Sequence, residues 1–148
     1  MRLLNQGFIK GMEQGRPFIR VKMAMVLDGK TAMASGKSEW VTVADARSDF
    51  HRYRARSSAI LTGIGTILAD DPSLNVRLDN SSNERTDRQP LRVILDTQGR
   101  LPPTAKLLTL PGQVLVITGK KAAMFEHENL IVEEVGLKNG RLDLQAVM

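Results

Sequence analysis

One glycine-rich stretch, residues 63–77 with the sequence GIGTILADDPSLNVR, holds the residues best suited to bind a phosphorylated ligand. Gly63 and Gly65 have no Cβ, so the backbone at this turn can come close to a ligand. The hydroxyl group of Thr66 and the free backbone N–H groups at the start of a helix can bind phosphate. Two adjacent carboxylates follow, which can hold hydroxyl groups, and the guanidinium of Arg77 can clamp an anion with its planar fork. The spacing of these residue types predicts a ligand that carries phosphate.

The composition is that of a globular protein with a small-molecule partner. The chain has 148 residues, 42% of them hydrophobic and only 4% aromatic, which predicts one domain with an aliphatic core. The net charge of +5 suggests an anionic partner, but one Trp and one Tyr are too few for a nucleic-acid platform. The sequence has no cysteine, which excludes disulfides and zinc-thiolate sites and fits a reducing cytoplasm. We expect a cytoplasmic protein with no nucleic-acid or membrane partner and no metal site, in which His51 and His127 are structural.

The hydrophobic pattern predicts the elements that position these residues. Alternating polar and apolar residues predict a first strand over 19–25, followed by a turn at Asp28 and Gly29. Thr42 with Asp45 resembles a capping box and predicts a helix over 43–57. The other predicted elements are a helix over 5–15, a short buried strand over 59–62, strands over 91–95, 114–117 and 130–135, an exposed loop over 79–89 and a short helix over 120–128. Strands that alternate with helices predict an α/β domain.

Two helices carry further expectations. The predicted helix over 43–57 has an apolar face that we expect to pack in the core, formed by Ala46, Phe50 and Tyr53. Near the end of the sequence, Asp143 is typical of a helix N-cap. The chain stops at Met148 after little more than one turn, and so short a helix is marginal by itself. We therefore expect the chain to be a fragment that ends inside an element.

Three more stretches resemble one known family when read with the first. They are FIRVKMAMVLDGKTA over 18–32, SGKSEW over 35–40 and RVILDT over 92–97. Together and in this order, they make residues 5–148 similar to the reductase half of the bifunctional riboflavin-biosynthesis deaminase–reductases. The resemblance implies a dihydrofolate-reductase-like α/β fold and NADPH as cofactor. It also implies reduction of the ribosyl group of 5-amino-6-(5-phosphoribosylamino)uracil, a small phosphorylated pyrimidine, to a ribityl group.

The resemblance also implies a role for individual residues. The positions that would meet NADPH are Ala24, Trp40, Thr66, Asp70 and Thr97. The positions that would meet the substrate are Ser38, Arg54, Leu74 and Arg77, and the resemblance places both arginines near the glycine turn. Lys22 matches a strand lysine that points into the same cleft and is the candidate catalytic residue.

Each of these residues also has a simpler interpretation. Arg54 and Lys22 could be solvated surface charges, and Arg77 could be an ordinary loop cation. Thr66 could cap the short helix after the glycines, and Trp40 could fill the core. The two carboxylates before Pro72 could cap or turn the chain, although we favour ligand binding for Asp70 and leave Asp71 open between the two roles.

The sequence departs from the family pattern in two ways. The parent family carries a zinc deaminase domain with H-x-E and P-C-x-x-C signatures, which this chain lacks. We therefore expect residues 1–16 to be a connector from such a domain, and zinc to belong only to it. Residues 17–148 would be the N-terminal portion of a reductase domain whose later part completes both binding sites. The fold would then be incomplete and the fragment inactive, while the longer parent would be a homo-oligomer.

Two other functions stay open at the sequence level. One is a different reductase of the same fold that acts on a pterin-like substrate. The pairing of Arg54 with Arg77 argues against it, because two arginines favour a phosphorylated substrate. The other is a non-catalytic module that binds nucleotides or phosphate. Weak NADPH binding without turnover would favour that module.

Overall fold

The structure is a computed structural model that describes residues 5–25, 28–31, 44–77, 88–120 and 124–148, without the side chains of Ala44 and Arg47. It divides into two units, residues 1–44 with residue 148, and residues 45–147. The helices are α1 Gln6–Gln14, α2 Ala44–Ala55, α3 Ile64–Asp70 and α4 Leu144–Val147, with a 3-10 helix at Lys106–Thr109. The strands are β1 Ala59–Gly63, β2 Leu91–Leu95, β3 Val114–Thr118, β4 Leu130–Glu134, β5 Leu137–Lys138 and β6 Arg141–Leu142.

The first unit contains the predicted N-terminal helix. Helix α1 ends where Gly15 adopts a left-handed conformation with φ of 61°, and its N–H donates to the carbonyl of Gly11 at 2.9 Å. Glycine favours this position because a left-handed backbone costs a residue without Cβ very little. The prediction of a helix over 5–15 is confirmed.

The predicted strand over 19–25 is wrong. The structure assigns no strand to these residues, and their large apolar side chains are exposed, namely those of Ile19, Val21, Met23 and Met25. Alternation in a sequence selects one face of a strand but does not supply the neighbouring strand with which its backbone must bond. The following turn is confirmed, because Gly29 has φ of 79° and Lys30 forms an ion pair with Asp28 at 2.8 Å.

The second unit is built on a parallel four-stranded sheet in the order β1-β2-β3-β4. All three pairings are parallel, and Gly63, Leu95 and Ile117 occupy one row of the register across the first three strands. The sequence runs over 91–95 and 114–117 are therefore correctly predicted as strands, and they form the centre of the sheet. Side chains cover both faces of these two strands, which explains why their sequences are continuously apolar.

The larger core lies on one face of the sheet. It joins α3 and the 3-10 helix to the central strands, through Ile64, Ile67, Leu74, Ile94, Leu101, Leu107, Leu108, Val114 and Val116. The cluster on the other face is smaller and contains Val93, Ile117 and Leu142. The larger core therefore fixes α3, including the glycine-rich residues at its start.

The edges of the sheet differ from expectation. Strand β1 exists as predicted but is not buried, because Leu61 is 44% exposed at the edge of the four-stranded sheet. Helix α2 spans Ala44–Ala55 rather than 43–57, and Thr42 lies outside the described residues. On this helix Ala46 and Phe50 are half-buried, whereas Tyr53 is 40% exposed and is not a core residue.

The C-terminal part holds one wrong prediction and one missed element. Residues 124–128 form no helix, and the rest of the predicted helix over 120–128 lies largely outside the described residues. The hairpin of β5 and β6 turns at Asn139 and Gly140, whose φ values are 53° and 74°. Asp143 then caps α4, as predicted, because its Oδ1 accepts a hydrogen bond from the N–H of Gln145 at 3.0 Å.

The described residues contain neither a membrane-spanning helix nor a cluster of metal ligands. In that part of the chain, none of the helices has the length and apolar character needed to cross a bilayer. The same residues contain no group of three or more His, Asp or Glu side chains arranged to hold a metal ion.

Candidate functional site

The first group of candidate residues lies at the edge where the parallel strands end. The glycine turn, residues 63–66, runs from the last residue of β1 into the first turn of α3, where Thr66 is exposed. Thr97 follows β2, and its carbonyl accepts a hydrogen bond from the N–H of Gly119 at the end of β3 at 3.2 Å. The carboxyl ends of parallel strands form the edge at which open α/β sheets bind ligands. The structure therefore places Thr66 and Thr97 on neighbouring strand ends of one such edge.

Contacts with the described residues do not require glycine at either of the two glycine positions of the turn. Gly63 has an extended backbone with φ of −87°, and Gly65 has no positive φ. A Cβ added to either residue would meet no heavy atom of the described structure within 4 Å. Neither backbone conformation nor packing against the described residues explains the glycines, and a backbone without Cβ leaves room for a ligand to approach closely.

A buried carboxylate supports the turn that carries Thr97. The side chain of Asp96 is fully buried, and its Oδ2 accepts a hydrogen bond from the N–H of Leu101 at 2.8 Å. Its backbone N–H donates to the carbonyl of Ile117 at 2.9 Å, so the turn is tied to β3. The hydrogen bonds that fix the position of Thr97 therefore do not involve its side chain.

The structure separates the roles of the two adjacent carboxylates. Asp71 ends α3 in a left-handed conformation, and its Oδ1 accepts a hydrogen bond from the N–H of Lys106 at 2.9 Å. The side chain of Asp70 is exposed and has no hydrogen bond or ion pair with any residue that the structure describes. Asp71 therefore has a structural role in joining α3 to the 3-10 helix, while Asp70 is open to a ligand.

Leu74 lies in an unusual backbone conformation. Its φ is 48°, in the left-handed region that branched and bulky residues rarely adopt, and its side chain is 7% exposed within the larger core. The side chain of Leu74 is therefore part of the core rather than of an open surface. Such a conformation persists only where the surrounding structure holds it in place.

Arg54 and Arg77 form a second group with Asn75, which we call the arginine cluster. The Arg54 Nη1 donates to the carbonyl of Asn75 at 3.2 Å, and its side chain is half-buried. Burial lowers the pKa of Arg54, and the nearby charge of Arg77 lowers it further. Among the described residues neither arginine forms an ion pair with a carboxylate. Two neighbouring positive charges repel each other, and a bound anion would remove that repulsion.

The arginine cluster is connected to the segment that precedes β2. Val76 exchanges hydrogen bonds with the side chain of Gln89, at 2.8 Å for its N–H and 3.4 Å for its carbonyl. Gln89 lies two residues before β2, so the arginine cluster lies toward the ends at which the strands begin. The expectation that both arginines lie near the glycine turn stays a prediction. The second unit presents two candidate groups of anion-binding residues, the glycine turn and the arginine cluster.

Sequence reasoning missed a buried arginine in the sheet. Arg92 is 1% exposed in β2, and burial lowers the pKa of its guanidinium. The guanidinium donates to the carbonyl of Leu107 at 2.6 Å and to that of Leu110 at 3.2 Å, with further bonds to Pro111 and Gly112. Arg92 therefore satisfies the carbonyls at the end of the 3-10 helix and has a structural role. Its polar character within an apolar run was the available signal.

The remaining candidates are outside the second unit. Lys22 is exposed and Ala24 is half-buried in the first unit. Ser38 and Trp40 lie outside the described residues. Among the residues predicted from the sequence, the structure thus places Thr66 and Thr97 at neighbouring strand ends and brings Arg54 close to Arg77.

Comparison with known proteins identifies the family. Residues 17–148 match the family described as the RibD C-terminal domain. The riboflavin biosynthesis protein RibD of Haemophilus influenzae is 46% identical over 148 residues, covering 88% of this chain and 40% of that protein. RibD of Escherichia coli is 39% identical over 152 residues, covering 98% of this chain and 41% of that protein. The chain thus spans about two fifths of the length of these curated relatives.

Solved structures agree with this assignment. The diaminohydroxyphosphoribosylaminopyrimidine deaminase/5-amino-6-(5-phosphoribosylamino)uracil reductase of Thermotoga maritima matches with a TM-score of 0.80 and 33% identity, over 99% of this chain and 38% of that one. Acinetobacter baumannii RibD matches with a TM-score of 0.73 and 40% identity, over 90% of this chain and 44% of that one. The fold is therefore α/β with a parallel sheet, of the dihydrofolate-reductase-like type. The chain belongs to the RibD C-terminal domain family.

Proposed function

We propose that this chain forms part of an NADPH-dependent reductase that acts on 5-amino-6-(5-phosphoribosylamino)uracil in riboflavin biosynthesis. The names of its relatives support this proposal, because they are riboflavin biosynthesis proteins and one solved relative is named a reductase of this compound. The substrate carries a phosphate group, and the chain carries a net charge of +5. The proposed partner is therefore a small phosphorylated pyrimidine.

The arginine cluster is the observation that carries the proposal. Arg54 is half-buried beside Arg77, and no described carboxylate compensates the two charges. A phosphate dianion placed between the guanidinium groups would gain charge-assisted hydrogen bonds from both and end their repulsion. We propose that these two residues hold the substrate phosphate, with Ser38 and the backbone of Leu74 as further substrate contacts.

The glycine turn fits a dinucleotide cofactor. Its two glycines leave open space next to the backbone, and Thr66 and Asp70 are exposed around it. We propose that Thr66, Asp70 and Thr97 hold NADPH together with Ala24 and Trp40. The hydride is supplied by the nicotinamide when the cofactor is bound. The protein binds and orients the two ligands, and the proposed role of Lys22 is to polarise the reacting group with its positive charge.

Steady-state kinetics of the intact protein that contains this chain test the proposal. Oxidation of NADPH is followed with the phosphorylated substrate for the wild type, Arg54→Ala and Arg77→Ala. Each arginine variant should raise KM by about 10- to 150-fold, the effect of losing one charge-assisted contact of roughly 1.5–3 kcal/mol. Arg52→Ala is the matched control, because Arg52 is an exposed arginine on the same helix, 4.0 Å from the carboxylate of Asp49. Its KM should change less than about twofold.

Three outcomes are informative. If Arg54→Ala and Arg77→Ala both keep the wild-type KM, the assignment of the substrate site is wrong. If the intact protein binds NADPH but does not oxidise it with this substrate, the chain is a binding module instead. If the Arg52→Ala control loses as much affinity as the other two variants, the effect comes from net charge rather than from the arginine cluster.

A further inference from the structure

The segment from Asn75 to Arg77 is held in place by side chains and not by a neighbouring strand. The structure assigns no strand to these residues, yet each of the three has a backbone hydrogen bond to a side chain. Arg54 donates to the carbonyl of Asn75, and Gln89 bonds to both backbone groups of Val76. The Nδ1 of His51 accepts a hydrogen bond from the N–H of Arg77 at 3.1 Å. Hydrogen bonds from three side chains thus take the place of the backbone hydrogen bonds that a neighbouring strand would form with this segment.

Two of the three side chains come from one helix. His51 and Arg54 are three residues apart on α2, so they lie on the same face of the helix. Helix α2 therefore supplies one of the paired guanidinium groups and also fixes the backbone that carries the other. The spacing between Arg54 and Arg77 is set by α2 in both respects.

We propose that His51 is a positioning residue for the binding of the substrate phosphate at Arg77. The inference rests on the proposed function, because it assigns His51 a part in the same anion site. The side chain of Arg77 is exposed and has no ion pair with a described residue, so its placement depends on its backbone. His51 fixes that backbone at the residue itself, whereas Gln89 and Arg54 fix the two residues before it.

The contact also determines the chemical state of the imidazole. An Nδ1 that accepts a hydrogen bond carries no proton, so the proton of the neutral ring lies on Nε2. An asparagine at this position would place an amide oxygen where Nδ1 lies, and that oxygen could accept the same hydrogen bond. An alanine could not. The pair of substitutions therefore separates the hydrogen bond from the bulk of the ring.

The test compares His51→Ala, His51→Asn and the control His127→Ala in the intact protein, with 5-amino-6-(5-phosphoribosylamino)uracil and NADPH. His127 is a matched control because its Nδ1 also accepts a backbone N–H, from Asn129 at 3.2 Å, just before β4. His51→Ala should raise the substrate KM by about three- to tenfold, the effect of one hydrogen bond, and leave kcat and the KM for NADPH within about twofold. His51→Asn should restore most of the lost affinity, and His127→Ala should leave KM unchanged.

The outcomes separate this inference from the proposed function. If Arg77→Ala raises KM but His51→Ala does not, His51 has no positioning role and the substrate site stands. If neither Arg77→Ala nor Arg54→Ala changes KM, the proposed substrate site itself fails. If His51→Ala lowers kcat and changes the KM for the substrate and the KM for NADPH together, His51 acts through general folding and the inference is wrong. The same conclusion follows if His51→Asn does not restore the affinity for the substrate. Melting temperatures of all variants, measured in parallel, show whether folding is affected.

Discussion

Replacing Gly65 with alanine should stabilise the fold and weaken the binding of NADPH. Gly65 is the second residue of α3, and an added Cβ would meet no described atom within 4 Å. Its φ is not positive, so alanine can adopt the same backbone. Alanine is favoured over glycine in a helix by roughly 0.5–1 kcal/mol, partly because it restricts the unfolded chain. The free energy of unfolding should therefore rise by up to about 1 kcal/mol, or roughly 1–4 °C in Tm.

The effect on the cofactor should have the opposite sign. If a phosphate group approaches the backbone at this turn, the new methyl group occupies part of the space that the ligand needs. Loss of one charge-assisted backbone contact corresponds to roughly a 10- to 150-fold weaker Kd. The Kd for NADPH of the intact protein is measured by fluorescence quenching, and Tm is measured on the same samples.

Gly11→Ala in α1 is the control for the effect of helix propensity. Gly11 also lies within a helix and also has no atom within 4 Å of an added Cβ, but it belongs to the first unit. This variant should gain a similar amount of stability and keep the wild-type Kd for NADPH. A Gly65→Ala protein that is more stable and binds NADPH normally would refute the argument that the glycine is there for a ligand.

Two further predictions concern the carboxylates and the buried arginine. Asp70→Ala should weaken NADPH binding without changing Tm. Asp71→Ala should keep the Kd for NADPH and lower the free energy of unfolding by about 0.5–1.5 kcal/mol, because the hydrogen bond to the N–H of Lys106 is lost. Equal effects of the two substitutions on Kd and on Tm would contradict the separation of their roles. Arg92→Met should lower the free energy of unfolding in urea by about 2–5 kcal/mol, because several buried carbonyls lose their donor. The exposed Arg100→Met is its control and should stay within about 0.5 kcal/mol of the wild type.

The sequence predicts the elements that depend on local pattern and fails where a partner is needed. The apolar runs of β2 and β3 predict strands because both of their faces are covered in the structure. The alternating residues 19–25 predict a strand equally well, but no pattern can show whether another strand pairs with them. The hairpin at Asn139 and Gly140 was predictable, because Asn-Gly between short apolar stretches is a strong signal for a tight turn.

The same distinction holds for the candidate site. The residue types of the glycine turn are visible in the sequence, since glycine, threonine and carboxylate lie within a few positions of one another. The bond between His51 and Arg77 joins residues 26 positions apart, and that between Arg92 and Leu107 joins residues 15 positions apart. Such pairings follow from the packing of the sheet and its helices. Residue types therefore indicate the ligand class, while the structure shows which residues position the others.

The central claim is that the arginine cluster binds the phosphate group of the reductase substrate. The most direct measurement compares kcat/KM for the phosphorylated substrate with that for the same compound without phosphate, in the wild type and in Arg54→Ala/Arg77→Ala. The wild type should prefer the phosphorylated compound strongly, and the double variant should lose most of that preference while its rate with the unphosphorylated compound stays nearly unchanged. A double variant that keeps the wild-type preference would contradict the claim, because the phosphate would then be recognised elsewhere.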